Sequence, residues 1–300
     1  MSASTFRALV LLLATACARG DGRSAGAGES LSVAGAGFQT PESALHDADA
    51  DLYLVTNING NPLDKDDNGF ISQVDPDGAV RALKWIDGAS PAVTLHAPKG
   101  MALKGDTLFV ADIDVVRLFD RRSGAPLGER AVPGATFLND VTVGPDGAVY
   151  VTDSGLKAGA SGFEASGSDA VYQIGPDGQS RVVVADTGLG RPNGILVDGP
   201  IATVVTFGSG QVFEIDLTSG QRTTGPKPPG GQLDGLVRLP DGSLLISSWE
   251  SSAVYRGRGA VYTTAVAPLD APADIGYDAE RGRVLIPLFT ANRLEIRTVR

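Results

Sequence analysis

The chain has 300 residues, of which 42% are hydrophobic and 20% are charged, so it is long and apolar enough to form a large folded core. Its formal net charge at pH 7 is −10 and it contains no cluster of Lys and Arg, which argues against nucleic acid as a partner. The 39 Gly and 18 Pro punctuate short runs of β-branched and aromatic residues, and no long stretch shows helical periodicity. This composition favours an all-β chain.

The N-terminus has the features of an export signal. A positively charged start precedes nine largely apolar residues, Ala8 to Ala16, a run far shorter than the roughly 20 residues that span a bilayer. Cys17 follows directly and is the only cysteine, so the segment resembles a bacterial lipoprotein signal in which Cys17 becomes the lipidated first residue. The preceding ATA is also an ordinary cleavage site, and both interpretations predict export. We therefore expect a signal peptide over residues 1–17, a flexible tether over 18–29, and a periplasmic protein anchored in the outer membrane by lipid.

A short motif recurs six times along the rest of the chain, each time as a polar residue before an apolar strand, a turn and further strands. The motifs are PESAL at 41, PKGMAL at 98, LNDVTV at 138, PNGILV at 192, LDGLVR at 233 and ADIGYD at 273. Aligned on their second letters, they give Glu42, Lys99, Asn139, Asn193, Asp234 and Asp274. Their spacings are 57, 40, 54, 41 and 40 residues, and four strands repeated at about 40–45 residues are typical of β-propeller blades.

The six motifs predict a six-bladed β-propeller over residues 30–300. The last repeat ends after only three strands, whereas SLSVAG at 30–35 precedes the first repeat as an additional strand. We expect this N-terminal strand to complete the sixth blade, because closing the ring protects the exposed edge of the last sheet. An irregular β-sandwich is the alternative fold, but it does not explain six equivalent positions.

The six motif residues should meet at one end of the central channel, because the first strand of each propeller blade is innermost. Two carboxylates, Glu42 and Asp234, and two carboxamides, Asn139 and Asn193, would form an all-oxygen cage. Such ligands suit a hard divalent cation, Ca²⁺ above all, with Mg²⁺ and Mn²⁺ as alternatives. The alternative interpretation is that polar residues simply line a wet channel.

These motifs resemble those of the SMP-30/gluconolactonase/LRE-like family of six-bladed propellers and, more distantly, the paraoxonases. The resemblance rests on PES with Glu42, FLNDVTVGPDGAVYVTD with Asn139, RPNGILVDG with Asn193 and QLDGLVRLPDG with Asp234. It implies that Glu42, Asn193 and Asp234 bind a divalent metal and that Asn139 contacts the substrate or the metal shell. It also implies hydrolysis of lactones and related esters.

The chain departs from the family pattern at two motifs. Sugar-lactone members carry an Arg two residues before the position of Asn139, where this chain has Phe137, so gluconolactone itself is not the expected substrate. Lys99 and Asp112 stand where paraoxonase-like members carry two His. We expect Lys99 either to stabilise an oxyanion or a substrate carboxylate, or to form a structural salt bridge with Asp112 or Asp274.

The two histidines of the chain have different expected places. His96, three residues before Lys99, is close enough in sequence to face the mouth of the channel. His46 should lie along the first strand, away from the metal.

Two functional classes remain open. In the first, a channel cation polarises a lactone or ester carbonyl and Asp234 acts as the general base. In the second, the propeller is a non-catalytic scaffold that binds a ligand or protein partner and keeps a structural metal, because a fold alone does not determine function.

The two longest spacings reflect insertions between the second and third strands of the first and third repeats. Both insertions should overhang the metal face and form lids. The first contains DKDDNGFISQVD, which follows the calcium-loop pattern D-x-D-x-N-G with Asp in place of the final Glu. Asp64, Asp66 and Asn68 are therefore candidate ligands of a second Ca²⁺, and the alternative is an acidic hairpin loop.

Overall fold

The computed structural model describes residues 30–160 and 162–299 of the chain. The predicted signal peptide with Cys17 and the predicted tether lie outside the described residues. Within the described ranges the regular structure is almost entirely β-strand, and the one helical element is a 3-10 turn at Thr187–Leu189. No helix in this part of the chain is long and apolar enough to cross a membrane.

Six four-stranded antiparallel sheets form the blades, and a two-stranded sheet is inserted in the third. The prediction of a six-bladed β-propeller is confirmed. Strand β1 is Ser30–Val33. The strands of blades one to three are β2 (Pro41–Asp47), β3 (Leu52–Asn57), β4 (Phe70–Val74) and β5 (Val80–Asp87); β6 (Pro98–Lys104), β7 (Thr107–Asp112), β8 (Val115–Asp120) and β9 (Pro126–Ala131); and β10 (Leu138–Val143), β11 (Val149–Asp153), the inserted β12 (Leu156–Gly159) and β13 (Gly162–Ala165), β14 (Ala170–Ile174) and β15 (Ser180–Ala185). The strands of blades four to six are β16 (Pro192–Asp198), β17 (Ile201–Thr206), β18 (Val212–Asp216) and β19 (Arg222–Thr224); β20 (Leu233–Arg238), β21 (Leu244–Ser248), β22 (Ala253–Arg258) and β23 (Val261–Val266); and β24 (Gly276–Asp278), β25 (Arg283–Leu288) and β26 (Arg293–Thr298).

Strand β1 closes the ring, as the sequence predicts. It pairs antiparallel with β26, from Ser30 opposite Arg297 to Val33 opposite Leu294, and so becomes the outer strand of blade six. Val33 and Leu294 pack in the apolar cluster between blades six and one, which ties the two ends of the propeller together.

Six buried apolar clusters lie between neighbouring blades, one at each interface. Alternate residues of a strand point to opposite faces of its sheet, so a blade packed between two others needs apolar residues on both faces. Strand β3 shows this pattern: Tyr53 and Val55 pack towards blade six, and Leu54 packs towards blade two. The core is therefore distributed around the ring and leaves the channel to the first strands.

The first strand of each of the first five blades carries a one-residue bulge at its start. At this point an advance of three residues along the first strand is paired with an advance of only two residues along the second strand. The shift lies between Pro41 and Ala44, Pro98 and Met101, Leu138 and Val141, Pro192 and Ile195, and Leu233 and Leu236. A bulge inserts an extra residue and changes the direction of the side chains there. The motif residue follows the first member of each pair, so the bulge places the same side-chain position of all five blades at the channel.

In blade six the predicted motif position is wrong by one residue. Pro272 pairs with Leu288 as Pro41 pairs with Asn57, so Ala273, and not Asp274, occupies the position of Glu42. The alignment of the repeats placed Asp274, the first polar residue of ADIGYD, at the motif position, but the backbone pairing shows that Asp274 lies one residue after it. Asp274 instead accepts a 2.5 Å hydrogen bond from the Ser43 hydroxyl of blade one.

Candidate functional site

A cavity of about 280 Å³ lies at the end of the channel where the first strands begin. Its floor contains all five motif residues of the first five blades: Glu42, Lys99, Asn139, Asn193 and Asp234. All five side chains are buried. The structure thus brings together the five residues that the sequence proposed for the channel site, whereas their roles as ligands or catalytic groups remain predictions.

Hydroxyl groups of the second strands fix the bulges that carry these residues. The Thr152 hydroxyl accepts a hydrogen bond from Asp140 N at 3.0 Å and donates to Asn193 O of the next blade at 2.6 Å. The Ser247 hydroxyl accepts from Gly235 N at 2.8 Å and donates to Ala273 O at 2.8 Å. Each hydroxyl satisfies an N–H that the bulge removes from the strand ladder and links two blades at the floor of the cavity.

Each of the four proposed metal ligands has a buried oxygen without a hydrogen-bond partner. These atoms are Glu42 Oε2, Asn139 Oδ1, Asn193 Oδ1 and Asp234 Oδ1. Buried polar atoms in proteins are nearly always paired, and an unpaired one costs about 1–3 kcal/mol. All four atoms are acceptors, so the group that satisfies them together is a cation or a set of donors. The residues therefore fit a bound divalent metal.

The orientation of the Asn139 amide follows from its neighbour. The Ser154 hydroxyl donates its one hydrogen to Pro192 O at 2.6 Å, so towards Asn139 it can only accept. Asn139 Nδ2 accordingly donates to Ser154 Oγ at 3.1 Å, which leaves Oδ1 as the free end of the amide. The oxygen, and not the nitrogen, is thereby available as a ligand.

The amides are essential to this ligand set. Across residues 30–160 and 162–299, no three His, Cys, Asp or Glu side chains are grouped so that they could hold a metal ion. A cation at the channel would take half of its side-chain ligands from Asn139 and Asn193, an oxygen-rich and weakly charged set that suits Ca²⁺.

The two carboxyl groups lie in an environment that disfavours their charge. Burial raises the pKa of Glu42 well above its ordinary value, and Asp234 and Asp274 raise it further, while Lys99 opposes the change. Burial and Asp274 likewise raise the pKa of Asp234. The nearby Trp249 indole lowers the pKa of Asp234, although its N–H does not reach hydrogen-bonding geometry with any described residue. A bound cation would supply the missing compensation.

Lys99 is fully buried beside this acidic pair. Its Nζ donates to Pro62 O at 3.2 Å and Ala97 O at 3.0 Å, and lies 4.4 Å from the centre of the Phe137 ring. Burial lowers the pKa of Lys99 to about 8, and the carboxylates of Glu42 and Asp112 oppose this shift. Phe137 therefore provides an aromatic face for the ammonium group, where an Arg would add a second positive charge.

Of the two alternatives for Lys99, the structural salt bridge with Asp112 or Asp274 does not form among the described residues, since Lys99 Nζ donates to Pro62 O and Ala97 O. Asp112 accepts hydrogen bonds from Ala97 N at 2.8 Å and Arg117 Nε at 2.9 Å, which leaves it no role as a direct partner of Lys99. The sequence could not show this, because Arg117 comes from the neighbouring strand β8.

The structure places the two His residues outside the cavity. His96, expected near the mouth, does not line the cavity, because its Nδ1 accepts a hydrogen bond from Asp67 N at 3.2 Å in the blade-one insertion. His46 lies beside Tyr53 and Asp278, away from the channel as expected.

The walls of the cavity contain a second ring of residues that the sequence analysis missed. They are the residues directly after the second strands of five blades: Ile58, Ser154, Phe207, Trp249 and Phe289. Trp249 packs against Phe207 and Phe289, with ring centres 5.4 and 5.0 Å apart. Aligning the repeats at the ends of their second strands would have revealed these residues, because they share one position in the repeat.

Both insertions reach the cavity. The blade-three insertion forms the β12–β13 hairpin, from which Leu156 and Phe163 line the cavity, and the Phe163 ring meets Phe137 edge-on at 6.2 Å. From the blade-one insertion Pro62 lines the cavity and binds Lys99.

The proposed calcium loop in the blade-one insertion remains a prediction. Asn68 Nδ2 donates to Asp66 Oδ2 at 2.5 Å, and Asn68 Oδ1 is buried without a partner. Asp64 is exposed.

Solved structures resemble the chain closely in fold. A gluconolactonase from Xanthomonas campestris has 17% sequence identity and a TM-score of 0.68 over 88% of this chain and 87% of its own. A luciferin-regenerating enzyme has 13% identity and a TM-score of 0.67 over 90% of this chain and 95% of its own. Virginiamycin B lyase from Staphylococcus aureus has 14% identity and a TM-score of 0.61 over 91% and 99%.

No protein-family model and no curated protein matches the sequence. The resemblance drawn from the motifs is confirmed at the level of the fold, since gluconolactonase and luciferin-regenerating propellers are among the structural neighbours. Because these structural neighbours also include a lyase, the fold alone does not determine which reaction the protein catalyses.

Proposed function

We propose that the protein is an exported, metal-dependent hydrolase of a lactone or related ester, with a divalent cation, Ca²⁺ as the best candidate, at the end of the channel. The observation that carries the proposal is the set of four buried, unpaired oxygens of Glu42, Asn139, Asn193 and Asp234 in one cavity. The likeness to a gluconolactonase supports the reaction class.

In this proposal the residues of the cavity have separate roles in metal binding, charge stabilisation and proton transfer. Glu42, Asn139, Asn193 and Asp234 would hold the cation, which supplies Lewis-acid polarisation of a carbonyl when bound. Lys99 Nζ carries three protons and donates two of them to backbone carbonyls, so the third can donate to a substrate oxygen that becomes negative. Asp234 is the candidate general base that accepts a proton from the attacking water.

The aromatic wall separates this chemistry from bulk water. Phe207, Trp249 and Phe289 surround the cavity on one side, and the hairpin residues Leu156 and Phe163 lie on another. Removing water strengthens the electrostatic effect of Lys99 on a developing negative charge.

The proposal is tested by metal analysis and a panel of esters. The purified protein should contain about one tightly bound divalent ion per channel and cleave aryl esters or lactones, and chelation should remove the activity reversibly. Glu42→Gln, which keeps the shape and removes the charge, should lose metal and activity together. Metal-reloaded protein that cleaves no lactone or ester would refute the hydrolase function.

A ligand-binding scaffold is the alternative that one observation favours. No His lines the cavity, and Lys99 is partly held by carbonyls, so a paraoxonase-like His pair is absent from the described site. The scaffold would bind metal with Glu42 and Asp234 and still cleave no ester, which separates it from the hydrolase.

Export and lipid attachment belong to the same proposal and rest on the sequence around Cys17. The mature protein should partition with the outer membrane and carry a lipid mass on Cys17, and Cys17→Ser should release it. A mature N-terminus at Cys17 without lipid would contradict the anchor but not export.

A further inference from the structure

The walls of the cavity are poorly suited to a sugar lactone. Among the lining residues only Ser154 carries a hydroxyl, and its hydrogen is already donated to Pro192 O. Each polar substrate group that leaves water without a new partner costs about 1–3 kcal/mol. The side chains that face the substrate are mainly Phe207, Trp249, Phe289 and Phe163, which favour an apolar or aromatic group.

Arg191 adds a positive charge to this apolar wall. It is half-buried, lines the cavity, and its guanidinium makes no hydrogen bond or ion pair with any described residue. The adjacent Asp169 accepts a 2.6 Å hydrogen bond from the Arg191 backbone N–H through Oδ2, but its carboxylate forms no ion pair with the guanidinium. The protein as a whole has a net charge of −10, so an unpaired cation at the cavity is a local exception.

The fold fixes the backbone of Arg191 but does not require an arginine. Arg191 has a φ of 60° and directly precedes the first strand of its blade; Thr40, Gln232 and Ala271 precede their first strands with φ of 51°, 47° and 47°. Because this left-handed conformation recurs with four different side chains, it belongs to the blade architecture. The guanidinium is therefore a feature of the site and not of the scaffold.

The position of Arg191 connects the cavity to a second depression. A groove of about 420 Å³ beside it is lined by Arg191 together with Asp169, Thr187, Gly208 and Ser209. A Cβ on Gly208 would lie 3.0 Å from Arg191 Cδ, so the absence of a side chain there gives the arginine room to lie between the two depressions. An anion bound by Arg191 would sit at the mouth, with its apolar part in the cavity.

We propose that the site selects esters or lactones that carry a carboxylate next to an apolar or aromatic group, with Arg191 binding the carboxylate. This inference deepens the proposed function and rests on it for the reaction, but not for the binding. One guanidinium matches a monoanion in a fork of two N–H donors.

The first experiment measures binding without catalysis. We would titrate 4-phenylbutyrate and its neutral isostere 4-phenylbutanamide into the protein by calorimetry, before and after metal removal. The wild type should bind the carboxylate at least about tenfold more tightly than the amide. Arg191→Gln should reduce this ratio to within about twofold, and Arg191→Lys should restore part of it.

The choice of variants separates recognition from folding. Glutamine is tolerated in this backbone conformation, because Gln232 occupies the equivalent position in blade five. Arg238→Gln removes one positive charge from a residue that does not line the cavity, and it should leave the ratio unchanged. Equal binding of acid and amide by the wild type, or full selectivity in Arg191→Gln, would overturn the inference.

The second experiment compares 4-nitrophenyl butyrate with the mono-4-nitrophenyl ester of glutaric acid. The wild type should have the higher kcat/KM for the charged ester, and Arg191→Gln should lose only this advantage. Cleavage of the neutral ester with no advantage for the charged one would refute the inference and leave the hydrolase intact. Arg191-dependent binding of the acid without cleavage of either ester would refute the hydrolase and leave the inference intact.

Discussion

Asp234→Asn should reverse its effect on stability according to whether metal is present. The variant keeps the shape of a buried side chain and removes the charge of an oxygen, Oδ1, that has no hydrogen-bond partner. In metal-free protein at pH 7 it should be more stable than the wild type by about 1–3 kcal/mol, because it removes a buried negative charge that burial and Asp274 disfavour. The sign agrees with the raised pKa of Asp234, since a raised folded-state pKa makes ionisation above the ordinary pKa unfavourable to folding.

With metal the order should invert. At a free metal concentration of 1,000 times Kd the wild type gains about 4.1 kcal/mol, which exceeds the variant's advantage of about 1–3 kcal/mol and corresponds to roughly 8–16 °C in Tm for a domain of this size. Metal should stabilise Asp234→Asn only slightly, because the substitution removes one of the two carboxylate charges of the proposed site.

Thermal unfolding in chelator and across a Ca²⁺ titration measures both effects. Asp198→Asn, an exposed aspartate outside the cavity, is the matched control and should behave as wild type in both conditions. If Asp234→Asn shows the full wild-type rise in Tm, Asp234 is not a ligand. If it is less stable than wild type in chelator, the carboxylate is already satisfied by the protein.

The remaining predictions concern the lysine, a buried ion pair and the acidic loop. Lys99→Met should lower kcat about 100-fold or more without weakening Ca²⁺ binding measured by calorimetry, and unchanged kcat would exclude a catalytic role. Arg121→Gln should lower the free energy of unfolding by about 1–3 kcal/mol at pH 7, measured with denaturant. Burial opposes ionisation of Asp47, but hydrogen bonds from Arg121 lower the pKa of Asp47 below its ordinary value. The difference between variant and wild type should therefore vanish as the pH falls through that lowered pKa. Asp66→Ala combined with Asn68→Ala should reduce the metal stoichiometry from two to one, and a wild type that binds one ion would show that the loop is only acidic.

The sequence predicted the fold because the repeat is local. Polar residue, strand, turn and strand recur at nearly constant spacing, and each unit needs only its neighbours to bury its two apolar faces. The same regularity identified Glu42, Lys99, Asn139, Asn193 and Asp234 as members of one cavity, since equivalent positions of a closed ring must meet at its axis.

The one-residue error at Asp274 shows where repeat alignment fails. The amino-acid sequence does not show where the bulge inserts its extra residue. In blade six the motif position is the apolar Ala273, so the alignment took the polar residue next to it, Asp274. The glycines after the motif residues have a similar explanation: a Cβ on Gly100 or Gly235 would lie 2.4 Å from an atom of the next blade. Close contact between first strands, invisible in one blade, requires glycine there.

The sequence by itself determined the number of blades, the closing strand and the residue types at the channel, because these follow from periodicity and from the chemistry of single side chains. Only the tertiary structure decided which atoms remain unsatisfied. Asp112 is neutralised by Arg117, His96 is held by Asp67, and Asn139 is oriented by Ser154, whereas Arg191 has no partner among the described residues. Such pairings depend on distances of a few ångströms between strands and insertions far apart in sequence, so they are fixed when the blades pack.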